Sequence, residues 1–448
     1  MRRLATATLL LAATACGKSP EAGKPAAPLS TSSAAVPASS ASSAPSVPAA
    51  SASAGGTVVN QTYNVLMLSI DSLRADMPWA GYPREIAPNL TKLYKKSIGY
   101  KNAYSISSFT SKSLGGFLGG RLPSELERTS PFFTSYAQSN KMFPEMLTEQ
   151  GVHTLSGHGH MYLDKKAGSS GMDQGFADWR VVPGIDFDYN KDPHVTSQKM
   201  TPMAIEMLSD ARVTKGPFFG WFHYTDPHDV YKGHEESPHW GKKGRDLYDE
   251  EVFYTDLWIG KLLDFVEQQP WAKNTVIVVT ADHGESFGEK KMYRHAFELW
   301  EVLVHVPLFL YVPGAAPREI DARRSHLDRV PTMFDLLGKT PGPELRGKSF
   351  RAELHGATAE PRDVLLDLPE DTYNDRHRAL IHDGFKIISF GNDRRFEVYD
   401  LNTDPGEEKE ISKTNPDKAK EMQELYKKMN ETVKEAPIKG GVQRKTGN

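Results

Sequence analysis

The chain has 448 residues, of which 25% are charged, and its formal net charge is -3. That length allows one large domain with a subsidiary one, and the near-balanced charge gives no electrostatic case for a nucleic-acid partner. Cys16 is the single cysteine, which excludes an intrachain disulfide and leaves the folded part without a thiolate nucleophile or a cysteine-ligated zinc.

At the N-terminus, Arg2-Arg3 precede an apolar run from Leu4 through Ala13 that is too short to span a bilayer. The run leads into Ala13-Thr14-Ala15-Cys16-Gly17, which resembles a bacterial lipoprotein signal with Cys16 as the lipidated residue. An ordinary secretory signal cut near Ala15 is the alternative. From Pro20 to Ala54 nearly every residue is Ala, Ser or Pro, too poor in large apolar groups to build a core. The expected organisation is a signal over 1–16, a tether over 17–60, a catalytic domain over 61–342, a C-terminal subdomain over 343–435 and a flexible tail over 436–448. The expected location is the bacterial cell envelope, exported and lipid-anchored, at the outer membrane or on the periplasmic face.

From Tyr63 onward, buried strands alternate with helical patterns, as in an α/β domain with a parallel sheet. Val65 to Ile70 is a short apolar run ending in Asp71, and Phe218 to Tyr224 is another. Tyr254, Leu257, Trp258, Leu262, Phe265 and Val266 recur at helical spacing, and Pro270 and Asn274 close that helix. Thr275 to Thr280 is β-branched throughout and leads into Asp282-His283-Gly284-Glu285. Ligands in open α/β sheets sit beyond the carboxyl ends of the strands. Two such ends delivering carboxylates and an imidazole look like a divalent-metal site. Pro307 to Val312 is a further strand candidate. Past Pro341-Gly342-Pro343, four shorter runs and the hairpin signal Asp383-Gly384 predict a small antiparallel sheet. A last helix carries Ala419, Met422, Leu425, Tyr426 and Met429 on one side.

Between the first two strands, Tyr104 to Gly120 packs hydroxyls ahead of a glycine-rich apolar stretch. Most of those hydroxyls read as helix caps. A nucleophile at such a helix start would gain free N–H groups that stabilise a phosphate or sulfate.

In order along the chain, these pieces resemble the alkaline phosphatase and sulfatase superfamily. The resemblance rests on Asn64 to Asp76, Ala87-Pro-Asn-Leu90, Lys101 to Tyr104, Thr225-Asp226-Pro227-His228-Asp229, Thr280 to Glu285, His295, Asp328 to Gly338 and Arg346 to Phe350. It implies a large, mostly parallel sheet flanked by helices, with a smaller C-terminal antiparallel sheet and a terminal helix. It further implies that Asp71, Asp282, His283 and Thr110 hold a divalent metal, with Thr110 also the nucleophile. His228 and His295 would be catalytic, binding the substrate's anionic oxygens or completing a second metal site. Lys112, His158 and His160 would be substrate-binding: Gly157-His158-Gly159-His160 falls at the family's GKxH segment, with a surface loop as the alternative, and Lys112 is otherwise a solvated surface charge.

The departures carry the functional expectation. Sulfatases of the family oxidise a Cys or Ser to formylglycine beside a proline and an arginine, and this chain has Thr110 with Lys112 and Leu114 in those places. The threonine Cβ methyl forbids an aldehyde, so the residue should act as a plain alkoxide, which suits phosphoryl transfer. Ser72 stands where many sulfatases have a second aspartate, which argues against an all-oxygen calcium cage. Zinc or manganese is therefore favoured over calcium or magnesium, as one ion or two. The expected function is hydrolysis or transfer of phosphate mono- or diesters through a phosphothreonine, on an ester substrate of the envelope or environment. A sulfatase working without formylglycine and a non-catalytic lipoprotein are the alternatives.

Overall fold

A computed structural model describes residues 61–164, 170–185 and 195–441. Cys16 and the Ala/Ser/Pro-rich segment lie outside the described residues. Among the described residues no helix is long and apolar enough to cross a membrane.

Eight strands make the path of the main sheet: β1 (Asn64–Ile70), β2 (Ile98–Tyr104), β3 (His153–His158), β4 (Asp178–Val181), β5 (Phe218–Tyr224), β6 (Thr275–Ala281), β7 (His305–Tyr311) and β8 (Arg318–Ile320). Their spatial order is β8-β2-β7-β6-β1-β5-β3-β4, and the short Arg324–Ser325 strand also pairs with β2. The central run β6-β1-β5-β3-β4 is parallel throughout. Only β7 runs antiparallel to both its neighbours. The carboxyl ends of β6, β1, β5 and β3 therefore stand side by side along one edge.

Helices cover both faces, which is why the central strands are apolar without interruption. Val65, Met67, Trp221, Val276 and Val278 point to one side, packing with Phe117 of α1 (Thr110–Gly119) and Val330 and Phe334 of α4 (His326–Leu336). Leu66, Leu68, Ile70, Phe222 and Val279 point to the other. There they meet Met200 and Ala204 of α2 (Ser197–Leu208) and Ile259 and Leu262 of α3 (Gly244–Glu267). Burying each such Leu or Ile contributes about 1.5–3 kcal/mol.

The C-terminal sheet has four antiparallel strands in chain order, β9 (Val364–Leu368), β10 (His377–His382), β11 (Phe385–Phe390) and β12 (Arg395–Asp400). Asp383 and Gly384 join β10 to β11 with φ of 47° and 80°, the left-handed pair that a two-residue hairpin requires. Ala419, Met422 and Tyr426 of α5 (Pro416–Asn430) cover one face of this sheet against Leu380, Ile387 and Val398. The tail expected to fray from residue 436 is docked in its described part. The Ala436 N–H donates to the Ser124 carbonyl at 2.8 Å, and Ile438–Lys439 pair in parallel with Arg128–Thr129.

Candidate active site

Asp71 follows β1 directly, its N–H held by the Tyr224 carbonyl of β5 at 2.8 Å. Asp282 and His283 follow β6, the neighbour of β1 on the opposite side. Ser72, where a second aspartate was the family expectation, turns the chain with φ 58° and ties the two carboxylates together. Its hydroxyl donates to Asp71 Oδ1 at 3.0 Å and its N–H to Asp282 Oδ1 at 3.2 Å. Gly284 lets the chain turn away at once, because a Cβ there would lie 2.2 Å from the Val302 carbonyl oxygen.

Thr110 is the first residue of α1, and no side chain caps that helix. Its Oγ1 lies 3.0 Å from His283 Nε2 and 3.5 Å from Asp71 Oδ2. Ser113, one turn later on the same face, donates to the Asp282 carbonyl at 2.7 Å and locks the helix start to the β6 end. His283 Nδ1 donates to the Gly284 carbonyl at 3.0 Å, which leaves Nε2 with a lone pair facing Thr110 and the carboxylates.

The donor set fits a metal ion. Asp71, Asp282 and His283 offer one atom each within 4.8 Å of one another, all buried. His283 Nε2 is 3.6 Å from Asp71 Oδ1 and 3.4 Å from Asp282 Oδ2. Ligands of a four-coordinate zinc at about 2.0–2.1 Å stand about 3.3–3.4 Å from each other. Asp282 Oδ2 is buried with no hydrogen-bond partner, as a ligand atom awaiting a cation would be. Burial pushes the Asp71 carboxyl up, but the histidines around it, His228 foremost, hold it well below the ordinary carboxylate range. Burial and the neighbouring Asp71 charge push Asp282 the other way.

Three further imidazoles stand over this cluster. The ring of His295 is 4.3 Å from that of His283 and 4.9 Å from that of His228. His228 donates from Nδ1 to the Asp229 carbonyl at 2.7 Å. His160 lies 6.3 Å from the His228 ring, its Nδ1 accepting from the Tyr162 N–H. His295 Nδ1 is 3.2 Å from both oxygens of the buried Glu285. Burial alone would lower the His295 pKa; Glu285, then Asp71 and Asp282, overcome it and raise the group to about 9. Glu285 also accepts from the Tyr231 hydroxyl at 2.8 Å, and its carbonyl from Arg74 at 2.6 Å.

Two expected residues are not brought to the cluster. Lys112 sits two positions after Thr110, which turns it about 200° around the helix. It is fully buried, so it is neither a substrate ligand nor a solvated charge. Its ammonium donates to the Phe132 carbonyl at 2.8 Å and to Thr134, and pairs with Asp371 at 3.4 Å. Burial lowers its pKa to about 8 against the pull of Asp371. His158 is the last residue of the buried strand β3, so neither its surface-loop reading nor its substrate-binding one fits. Its ring lies 4.0 Å from Trp179 and 4.7 Å from Trp221, with Nε2 2.8 Å from Ser156 Oγ.

Three residues of the site were not singled out in the sequence. His223 interrupts the apolar strand β5, on the same face as Trp221, and that single polar residue was the available signal. Its Nε2 is 3.6 Å from Asp71 Oδ2, and its Nδ1 meets Ser69 Oγ at 2.8 Å, where the Trp221 indole also donates. Glu285 belongs to the quoted motif, but its link to His295 spans ten residues. Arg329 is buried beneath the cluster, its guanidinium 4.4 Å from the Phe117 ring and 3.6 Å from Met67 Sδ, with Nε unpartnered. Burial pulls its pKa down to about 9, and Asp282 opposes the fall.

Residues 63–339 match the pattern of the family described as Sulfatase, and residues 288–436 that of the N-sulphoglucosamine sulphohydrolase C-terminal region. A protein named sulfatase from Formosa agariphila is 33% identical over 159 residues, 35% of this chain and 30% of that relative. The chain thus spans under a third of that relative's length. A choline-sulfatase from Rhizobium meliloti is 24% identical over 419 residues, covering 76% of this chain and 81% of the relative. Among solved structures, the phosphonate monoester hydrolase of Agrobacterium radiobacter superposes with a TM-score of 0.68 at 15% identity, over 82% of this chain and 95% of that one. The Sulfatase pattern spans more than half of the sequence and the same fold recurs in that structure, so the chain belongs to the sulfatase family of the alkaline phosphatase superfamily.

Proposed function

We propose that this protein is a metal-dependent hydrolase of phosphate esters that works through a covalent phosphothreonine on Thr110. The observation that carries this reading is a threonine, unable to become an aldehyde, at an uncapped helix N-terminus with its hydroxyl 3.0 Å from His283 Nε2. Asp71, Asp282 and His283 would hold the ion, and zinc or manganese suits their mixed oxygen and nitrogen donors. A bound divalent ion supplies Lewis acidity, which lowers the pKa of a nearby hydroxyl and polarises a phosphoryl oxygen.

The residues of the chain do the rest. The α1 N-terminus favours the anionic form of Thr110 and of the ester. Thr110 Oγ1 attacks phosphorus; the new P–O bond forms as the bond to the alcohol breaks, and the proton lost from the Thr110 hydroxyl balances the one the departing alkoxide takes up to leave as alcohol. His295, kept cationic by Glu285, is placed to donate to the equatorial oxygens as charge develops there, and His228 stands beside it. His160 lies at the outer end of this row. Water then attacks the phosphothreonine, releasing phosphate and restoring the hydroxyl.

Intact mass measured after brief exposure to an aryl phosphate with zinc or manganese tests the reading. A gain of one phosphoryl group on Thr110, absent in Thr110→Ala, supports it; unchanged turnover in that variant sinks it. A second reading, sulfate ester hydrolysis, is favoured by the sulfatase names of the relatives, among them an N-acetylglucosamine-6-O-sulfatase. Turnover of an aryl sulfate without any adduct from the phosphate would select it.

We also propose an envelope location through a lipid on Cys16, supported by the residues around it. Cys16→Ala should abolish incorporation of labelled palmitate, and persistence of the label would overturn the anchor.

A further inference from the structure

Among the described residues four large apolar or aromatic side chains are exposed: Val230 at 58%, Tyr293 at 72%, Phe297 at 47% and Tyr373 at 57%. All four lie on segments that border the active site. Val230 follows His228 by two positions, and Tyr293 and Phe297 flank His295. Tyr373 packs edge-on against Phe132 at 5.7 Å. Single exposed apolar residues mean little, but a set gathered around one site marks a ligand surface.

Phe297 and Tyr373 continue a wall that begins beside the nucleophile. Phe109, the residue before Thr110, stacks on Phe132 at 4.0 Å and lies 6.4 Å from His295. Phe132 stacks in turn on Phe297 at 5.8 Å. Beside it, Phe133 stacks on His160 at 6.3 Å, so the wall reaches both ends of the imidazole row.

The wall is held in place from behind. Lys112 grips the Phe132 carbonyl and Asp371 together, and Asp371 accepts from the N–H groups of Tyr373 and Asn374 at 2.8 and 3.0 Å. Thr372 N–H reaches the Ser130 carbonyl at 3.0 Å. Across the mouth, Arg294 pairs with Asp229 at 3.0 Å and joins the segments that carry Tyr293, Phe297 and Val230. Lys112 and Arg294 are thus engaged in ion pairs that build this edge, and the exposed side chains beside them are aromatic.

Building on the phosphate-ester reading, we propose that this wall is a subsite for the alcohol part of the ester. Its occupant is apolar and either planar or long-chained, an aryl or lipid alcohol rather than a charged sugar. Aromatic faces at stacking distance accept such a group and gain from excluding water.

Binding of phosphonates to the zinc-loaded protein, read by calorimetry, tests this without turnover. Phenylphosphonate or decylphosphonate should bind at least about tenfold more tightly than methylphosphonate, a difference of ~1.4 kcal/mol. A gain confined to the phenyl compound identifies an aryl occupant, and one for decyl a lipid chain. Phe132→Ala, Phe297→Ala and Tyr373→Ala should each reduce that gain while leaving methylphosphonate affinity unchanged; the last two are exposed positions that do not endanger folding. Equal affinity for the three probes, no binding of either phenylphosphonate or decylphosphonate, or a gain untouched in all three variants would overturn the subsite. The two readings separate cleanly. A phenyl or decyl preference with no ester turned over keeps the wall and removes the hydrolase; ester turnover with no such preference does the reverse.

Discussion

The floor of the site and its wall are built in opposite ways. The floor, Asp71, Asp282, His283 and Thr110, sits on the ends of two adjacent strands and the first turn of a buried helix. Asp282 is held by the Ser72 and His283 N–H groups, which donate to its Oδ1, and by the Ser113 hydroxyl, which donates to its carbonyl. The wall, Phe109, Phe132, Phe297 and Tyr373, comes mainly from connecting segments and reaches solvent. Rigid strand ends suit chemistry that tolerates little displacement, whereas loops can vary to suit an alcohol. Floor substitutions should therefore change kcat, and wall substitutions KM.

The largest expected effect lies in the floor. Thr110→Ala should lower kcat/KM by about 10³-fold or more while leaving metal content intact; equal loss of metal would make the residue a ligand first. Asp282→Asn comes next. Bound zinc, measured by elemental analysis after dialysis, should fall by more than the about 10–100-fold typical of losing an outer partner. Glu285→Gln touches no substrate and should still cost about 10–100-fold in kcat through His295. An unchanged rate would show that His295 needs no such partner.

Lys112→Met tests the join between the two regions. The folded chain holds the ammonium at about 8 against 10.5 for a free lysine, so it releases its proton before the unfolded chain does. The unfolded state then binds more protons in that window, and stability rises with pH across it. The melting-temperature difference, wild type minus Lys112→Met, should increase from about pH 8 to about pH 10.5; a flat difference would refute a buried cation. Smallest of all, Phe297→Ala should shift stability by less than about 0.5 kcal/mol, and a larger loss would move that ring from the wall into the core.

Asp71, Asp282 and His283 were legible in the sequence because they follow uninterrupted apolar runs, Thr110 through the family resemblance, and the antiparallel C-terminal sheet because Asp383-Gly384 announces its hairpin. Strand β3 was not: His153-Thr-Leu-Ser-Gly-His158 has no apolar run, since its polar side chains Ser156 and His158 line a buried polar layer under the site. Lys112 misled for a related reason. A lysine two residues from a nucleophile looks like an anion ligand, and only Phe132 and Asp371, 20 and 259 positions away, reveal it as a brace. The wall had no periodicity to betray it, because it is assembled from segments far apart in sequence.

The docked C-terminal strand has a practical consequence. Ile438–Lys439 zip onto Arg128–Thr129, a few residues ahead of Phe132, and Lys434 N–H reaches Glu125 at 3.1 Å. This C-terminal segment thus serves as a clasp on the loop that carries the aromatic wall. Trimming the chain before residue 434, or fusing a rigid partner there, would loosen a loop some 300 positions upstream.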